Sequence, residues 1–523
     1  MTIKRFILGV LTIFAILRVL LSLGDSFTQP QIQSRLELYQ TDLLLHATEI
    51  SNEDLISARD ALVGADPLAA AEEQYLKARQ VTNKSLTNFQ GQLQTITSQP
   101  APLNSQSADL DFLGDATNVS PQELELQKVI TETNQFIAQI DLKLGIIQAQ
   151  QGETAKALST WEELIVREKG NNSTVSIYQS AEILRDLWQE SNIEEADVES
   201  ILVADADLNG WFRYTVKKQF YSSQQREDDL LNLEAKEREQ ASQALVKLVL
   251  IGTIPLLGGI VGVGLLVFLL VQWFLKPDKA ILNIKNVGTW PVPWDGEIVW
   301  QVLIVGFFFI GQFVIPLLLG FLGLNLGELS LRFQAGYILV TYLLLALGGL
   351  SVLYFSIKPF FPLPSEWFSV KWLGNWFLWG LGGYLVALPL VVLVSLINQQ
   401  FWQGQGGSNP ILLLALQAQD TLALAIFFIT ASVAAPIFEE IVFRGFLLPS
   451  LTRYLPVGRS ILLSSFIFSA AHLSLSEVLP LMTLGVVLGF VYMRSRNLLA
   501  PILLHCLWNS GTLFSLFVLG SGV

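Results

Sequence analysis

Apolar residues are distributed along this chain in two regimes. Residues 6–24, and most of the chain from 248 onward, are long apolar runs separated by short polar stretches. Between them lies a polar region in which apolar residues recur every three or four positions, the spacing of amphipathic helices. The later runs fall at 248–275, 298–324, 334–357, 376–398, 421–443, 461–476, 479–493 and 498–520. A helix needs about 20 apolar residues to cross a bilayer. Most of the runs meet that length; those at 461–476 and 479–493 are short. With the first run they predict nine spans. The first run, FILGVLTIFAILRVLLSLG, follows Lys4 and Arg5, is interrupted by Arg18 and has no clear small-x-small cleavage site after it. It reads as an uncleaved anchor rather than a signal peptide.

Two features divide the polar region. Residues 97–121, TSQPAPLNSQSADLDFLGDATNVSP, are rich in Ser, Pro, Asn and Asp and predict a linker or long loop. In LGIIQAQQGETAKALSTW, the residues Leu144, Gly145, Gly152, Ala157 and Trp161 fall at the spacing of a tetratricopeptide helix pair. Such repeats bury a core only when at least three stack, and a single copy predicts a helical hairpin. The fold class expected is all-α: a polytopic membrane helical bundle of about eight C-terminal spans plus an N-terminal anchor, with a helical, tetratricopeptide-like soluble domain. The expected divisions are an anchor at 1–24, an acidic helical soluble domain at 25–244, membrane helices at 245–404 and a second membrane domain at 405–523.

Composition sharpens this picture. Over 523 residues the mean hydropathy is +0.48 and only 15% of residues are charged, which excludes an ordinary soluble enzyme. Residues 25–244 carry 17 Lys/Arg against 36 Asp/Glu, a net of −19, and the remainder nets +6. No basic patch of the kind nucleic acid requires is present in the sequence. Lys and Arg lie before the first span (Lys4, Arg5) and after the second (Lys276, Lys279, Lys285). They recur after the fourth (Lys358, Lys371), sixth (Arg444, Arg453, Arg459) and eighth (Arg494, Arg496), whereas the intervening membrane loops carry only Arg332. This alternation predicts that the basic loops are cytoplasmic and that 25–244 is extracytoplasmic. The single cysteine, Cys506, excludes an intramolecular disulfide, and there are three histidines, His46, His472 and His505.

Ionisable side chains at membrane depth cost roughly 2.5–3.5 kcal/mol each and are candidates for function. The stretch APIFEEIVFRGFLL (435–448) holds Glu439, Glu440 and Arg444. Glu440 and Arg444, at i and i+4, share a helix face and can pair. Glu439 lies about 100° round the helix from Glu440 and points elsewhere. A carboxylate free of a cation in a partly desolvated place suits a general base. Two of the three histidines fall within 70 residues of this pair, each in an apolar helix: Phe468 and His472 are i and i+4 in FIFSAAH, and His505 and Asn509 in HCLWN. Cys506, next to His505, points away from that face and reads as packing. Counting residues from Arg444, Arg459 and Arg496 places Glu439, His472 and His505 inside the membrane, in a site that opens toward the cytoplasm.

EEIVFR, FSAAH and HCLWN together resemble the three motifs of the CPBP family, the superfamily of type II CAAX prenyl endopeptidases and bacteriocin-processing or immunity proteins, also called the ABI or abortive-infection family. Its motifs are Glu-Glu-x-x-x-Arg, Phe-x-x-x-His and His-x-x-x-Asn. The resemblance covers residues 405–515 and implies an intramembrane glutamate endopeptidase that uses no cofactor. It implies Glu439 as general base acting with His472 on a water, His505 and Asn509 as an oxyanion hole, and Glu440, Arg444 and Phe468 as supporting residues. The implied partners are the lipid bilayer and a membrane-associated protein or peptide substrate, with a protein partner as a further candidate for 25–244. Two alternatives stand beside this reading. One is a zinc-dependent membrane protease built on the same histidines and glutamates, although no His-Glu-x-x-His helix occurs. The other is a non-proteolytic membrane scaffold or immunity protein. Neither the natural substrate nor its prenylation is written in the sequence.

Overall fold

A computed structural model describes residues 2–26, 32–50, 56–57, 59–60, 64–98, 121–170, 174–189, 193–204, 208–284, 287–321, 329–402, 405–408, 410–417 and 420–520. Apart from its ends, the predicted linker at 97–121 lies outside the described residues. The chain divides into two units, Gln33–Leu248 and Met1–Ile32 with Val249–Gly522.

The polar unit is helical: α2 (Gln33–Thr48), α3 (Pro67–Ser98), α4 (Pro121–Gln150), α5 (Thr154–Glu168), α6 (Val175–Trp188), α7 (Glu195–Ala204), α8 (Gly210–Ser223) and the first part of α9 (Glu227–Leu275). Its core is built on Leu45, Tyr75, Ile146, Trp161, Leu184 and Phe212. The predicted hairpin is formed by α4 and α5. Gly152, with φ +83°, turns the chain between them, a backbone conformation that glycine adopts without steric cost. Trp161 packs its indole onto Gly145, where a Cβ would collide, and its Nε1 donates to the Leu142 carbonyl at 3.1 Å. The third histidine, His46, is buried here against Glu237, with Nδ1 2.5 Å from the carboxylate.

The membrane unit joins the N-terminal helix α1 (Ile3–Ser26) to the second part of α9, α10 (Gly296–Gly320), α11 (Leu331–Ile357), α12 (Trp376–Trp402), α13 (Pro410–Gln417), α14 (Thr421–Leu451), α15 (Val457–Ala470), α16 (Val478–Ser495) and α17 (Leu499–Gly520). Among the described residues, 8 helices are long and apolar enough to cross a membrane, and α15, at 14 residues, is a shorter apolar helix. The chain is an all-α polytopic membrane protein. One correction concerns the region 461–493. The run at 479–493 belongs to a span of full length, whereas α15 rises only roughly 21 Å. It stops at Ala470, and Leu473 then takes up φ +57°. His472 therefore sits in the turn beyond the helix rather than on it.

One hydrophobic core runs through residues on both sides of position 405, including Trp294, Trp367, Phe438, Phe446, Phe468 and Tyr492. The helices that carry the motifs pack on the helices that precede them. Among the described residues, three π-helical segments interrupt the spans, at Val302–Val314, Thr430–Ala434 and Ile441–Leu447. Each ends two residues before a proline: Pro316, Pro436 and Pro449. A proline has no N–H to offer, and its ring crowds the carbonyl four residues back, so the ladder widens just upstream.

Candidate active site

Helix α14 starts at an N-cap. The Asp420 carboxylate accepts from the Leu422 and Ala423 amides at 3.0 Å each, and Arg332 pairs with it at 2.6 Å. The Ala423 amide and the Arg332 guanidinium hold this carboxyl below its ordinary range. Further along, Ala435–Glu440 is a short α-helical stretch between two π-helical ones, so both glutamates sit where the helix changes pitch.

Glu440 and Arg444 are both buried, 2.8 Å apart. The same Glu440 oxygen, Oε1, also accepts from His505 Nδ1 at 2.8 Å. Arg444 Nη2 donates to the Gly485 carbonyl at 3.2 Å, and its guanidinium lies 4.4 Å from the centre of the Phe468 ring. Phe468 in turn meets His472 and His505 edge to face, with centroids at 4.9 and 5.7 Å. It is the apolar hub on which one cation and two imidazoles are packed.

Glu439 turns away from this cluster but is not without a partner. Its Oε1 accepts from the Tyr342 hydroxyl of α11 at 3.0 Å. Its Oε2 is buried without a hydrogen-bond partner and lies 4.0 Å from His505 Nε2. The geometry of a single helix separates the two glutamates correctly, but it gives no information about what a second helix brings up to Glu439. Tyr342 went unnoticed in the sequence. Its only signal is a hydroxyl-bearing ring inside an apolar run.

Hydrogen-bond chemistry places one proton on each imidazole. His472 Nδ1 lies 2.9 Å from the Phe468 carbonyl, which can only accept, so Nδ1 carries the proton and a neutral His472 presents a bare Nε2. His505 Nδ1 donates to Glu440 in the same way, and its Nε2 donates only in the doubly protonated form. Asn509 donates one amide hydrogen to the Ala431 carbonyl at 2.7 Å and keeps the other.

Glu439, Tyr342 and His472 line one cavity of about 490 Å³ together with Phe307, Gln312 and Phe443. Its remaining wall includes Arg18, Ser22, Asp25 and Ser26 of α1, a helix whose hydropathy predicts only an anchor. His505 and Asn509 stand behind Glu439 and do not line this cavity. Among the described residues no three His, Cys, Asp or Glu side chains gather as a metal site would require.

Residues 421–511 match the family model described as type II CAAX prenyl endopeptidase Rce1-like. Two curated proteins are similar over 137 residues, a quarter of this chain, at 28% identity each. One is the putative membrane peptidase YdiL of Bacillus subtilis (strain 168), 53% of which is covered. The other is the membrane-embedded CAAX protease MroQ of Staphylococcus aureus (strain USA300), covered over 54%. The chain spans about half the length of the curated relatives it matches. No solved structure matches. The matched segment, similar to CAAX-type membrane proteases, contains all seven residues singled out by the motifs.

Proposed function

We propose that the chain is an intramembrane endopeptidase in which Glu439 and His472 activate a water for attack on a peptide carbonyl. The observation that carries this reading is their shared cavity. Glu439 lines the cavity and is held through Oε1 by Tyr342, while its Oε2 is buried without a hydrogen-bond partner, and we assign the deprotonation of water to this carboxylate. His472, its Nδ1–H spent on Phe468, offers Nε2 as a second acceptor in the same space. Water is the nucleophile and one proton passes to this pair. The same proton then serves the departing amine, so the groups return to their starting states.

We assign oxyanion stabilisation in this scheme to His505, which is held by Glu440, and to the second amide hydrogen of Asn509, for a carbonyl that reaches past Glu439. Glu440, Arg444 and Phe468 hold the imidazoles in place. The similarity to proteins named as membrane peptidases supports the reaction class. The substrate we propose is a membrane-associated protein or peptide. The alternation of Lys- and Arg-bearing loops supports cytoplasmic turns around Arg453 and Arg494 and a polar unit on the other side of the membrane.

The test is Glu439→Gln in purified protein acting on a membrane-tethered peptide. The side chain keeps its shape and loses its basicity, and turnover should fall by about 10²–10⁴ while the protein stays folded. Wild-type turnover should survive a strong chelator. Undiminished hydrolysis by the Gln variant would falsify the assignment of the base.

A further inference from the structure

An arginine sits on the cavity wall, and neither the motifs nor the proposed chemistry accounts for it. Arg18 lies fourteen residues beyond Lys4 in α1, roughly 21 Å along the helix axis from that end. That depth is costly for a cation unless something pairs with it. Among the described residues no carboxylate forms an ion pair with Arg18, although Glu439 and Asp25 line the same cavity. Asp25 is seven residues further on, roughly 10 Å along the axis.

The helix that bears Arg18 is fixed at both ends. At its start, Lys4 and Arg5 pair with Glu297 of α10 at 3.0 and 2.7 Å. In the middle, Trp300 Nε1 donates to Thr12 Oγ1 at 2.6 Å, and Phe14 meets Phe313 edge to face. At its end, Ser26 Oγ donates to the Gly406 carbonyl at 2.5 Å and accepts from the Leu475 amide at 3.1 Å, three residues from His472. Arg18, Ser22, Asp25 and Ser26 follow helical spacing and form one polar stripe on a helix whose other positions are mostly apolar. The stripe faces the cavity that holds Glu439 and His472.

We infer that Arg18 is a substrate-specificity residue whose guanidinium binds a carboxylate of the peptide being cleaved. This inference rests on the endopeptidase reading above and deepens it. A guanidinium forks onto a carboxylate through two parallel N–H donors, and Arg18 is exposed and so accessible to such a ligand. An anionic peptide entering this cavity meets the Glu439 carboxylate, and among the described lining residues Arg18 is the one Lys or Arg side chain to offset it. The ligand carboxylate has two sources, the chain terminus of the peptide or an Asp or Glu side chain near the cleaved bond. The two require the same chemistry of the wall.

The test is binding, measured with full-length protein carrying Glu439→Gln so that no peptide is consumed. Two matched pairs of short, apolar, fluorescently labelled peptides are compared: free acid against C-terminal amide, and internal Glu against Gln. At least one carboxylate-bearing member should bind about ten- to a hundredfold tighter than its neutral partner, and the pair that does so identifies the source. Adding Arg18→Gln should abolish that preference, and Arg18→Lys, which keeps the charge without the fork, should fall between. The Gln change removes a charge from an apolar helix, so insertion becomes easier and folding is not the point at issue. Equal binding within both pairs, or a preference that persists in Arg18→Gln, overturns the assignment; an arginine that only reaches for lipid headgroups gives that result. The two readings fail separately. Protein that binds the carboxylate through Arg18 but never cleaves sinks the endopeptidase reading alone. Cleavage without the carboxylate preference sinks the Arg18 assignment alone.

Discussion

Burying Arg444 beside Glu440 removes two charges from solvent at once, and the arrangement is stable because each has more than one partner. Glu440 Oε1 takes hydrogens from Arg444 and His505, and Arg444 also uses the Gly485 carbonyl and the Phe468 ring. Breaking such a pair from one side leaves an uncompensated buried charge, at about 3–5 kcal/mol. Glu440→Ala should therefore lower the thermal midpoint in detergent markedly and release His505, whereas Glu440→Gln, which keeps an acceptor, should lower it less. Equal midpoints for wild type and Glu440→Ala would show that the pair carries no stability. Tyr342→Phe asks a separate question. The ring keeps its edge-to-face contact with Phe438 and loses only the hydroxyl that holds Glu439. Turnover should fall by about ten- to a hundredfold with little change in midpoint, in line with one hydrogen bond to a charged group. An unchanged kcat would mean that Tyr342 does not position the base. The Glu440–Arg444 pair was legible in the sequence because both partners lie on one helix at a spacing fixed by geometry. Tyr342 was not, because it lies 97 residues upstream and only packing brings it near.

Among the helices, two features of the sequence act through the backbone. Prolines 316, 436 and 449 each open a π-helical segment just upstream, and two of these segments bracket the glutamates. Their positions were readable, but periodicity assumes 3.6 residues per turn throughout and so hides such a change of pitch. Glycines act by what they lack. On α12, Gly383 lies so close to α16 and α17 that an added Cβ would come within 2.6 Å of Val491 and of Leu504, the residue before His505. Its neighbour Gly382 has nothing within 4 Å. Small residues of this kind let membrane helices approach closely where no hydrophobic drive holds them together. Gly383→Leu should reduce the yield of monodisperse protein on size exclusion and lower activity through displaced His505, and Gly382→Leu should do neither. Indistinguishable profiles for the two variants would remove the close α12–α17 contact from the account. The hydrophobic runs predicted these spans well. They did not predict that α15 would end before His472, because Leu473 is apolar and its positive φ is set by the turn, not by its hydropathy.

At the scale of the whole chain, the membrane unit is assembled from both ends of the sequence, with residues 33–248 inserted between α1 and the remaining spans. Hydropathy identified α1 as a membrane helix but gave it no task. Its polar stripe, spaced over about two turns among apolar residues, is weak as a pattern and acquires meaning only beside Glu439 and His472. The insert carries the excess acid, a net of −19 over 25–244, and such a field favours basic partners or divalent cations with a reach that salt shortens. The sidedness proposed from the basic loops gives a sharp expectation for the intact protein. In sealed, right-side-out membranes, protease added from outside should cut within 33–248 and leave the turn around Arg453 and Arg459 untouched. Protease given access to the other face should find that turn and spare the insert. Deleting 2–26 should then cost the protein its carboxylate preference and much of its turnover even when the later spans insert normally, because a wall of the cavity has gone with Arg18, Ser22, Asp25 and Ser26. Full activity in that deletion would reduce α1 to the anchor that its hydropathy alone suggests. Cleavage of the Arg453 turn from outside, with the insert spared, would reverse the proposed orientation and leave the geometry of the site unaffected.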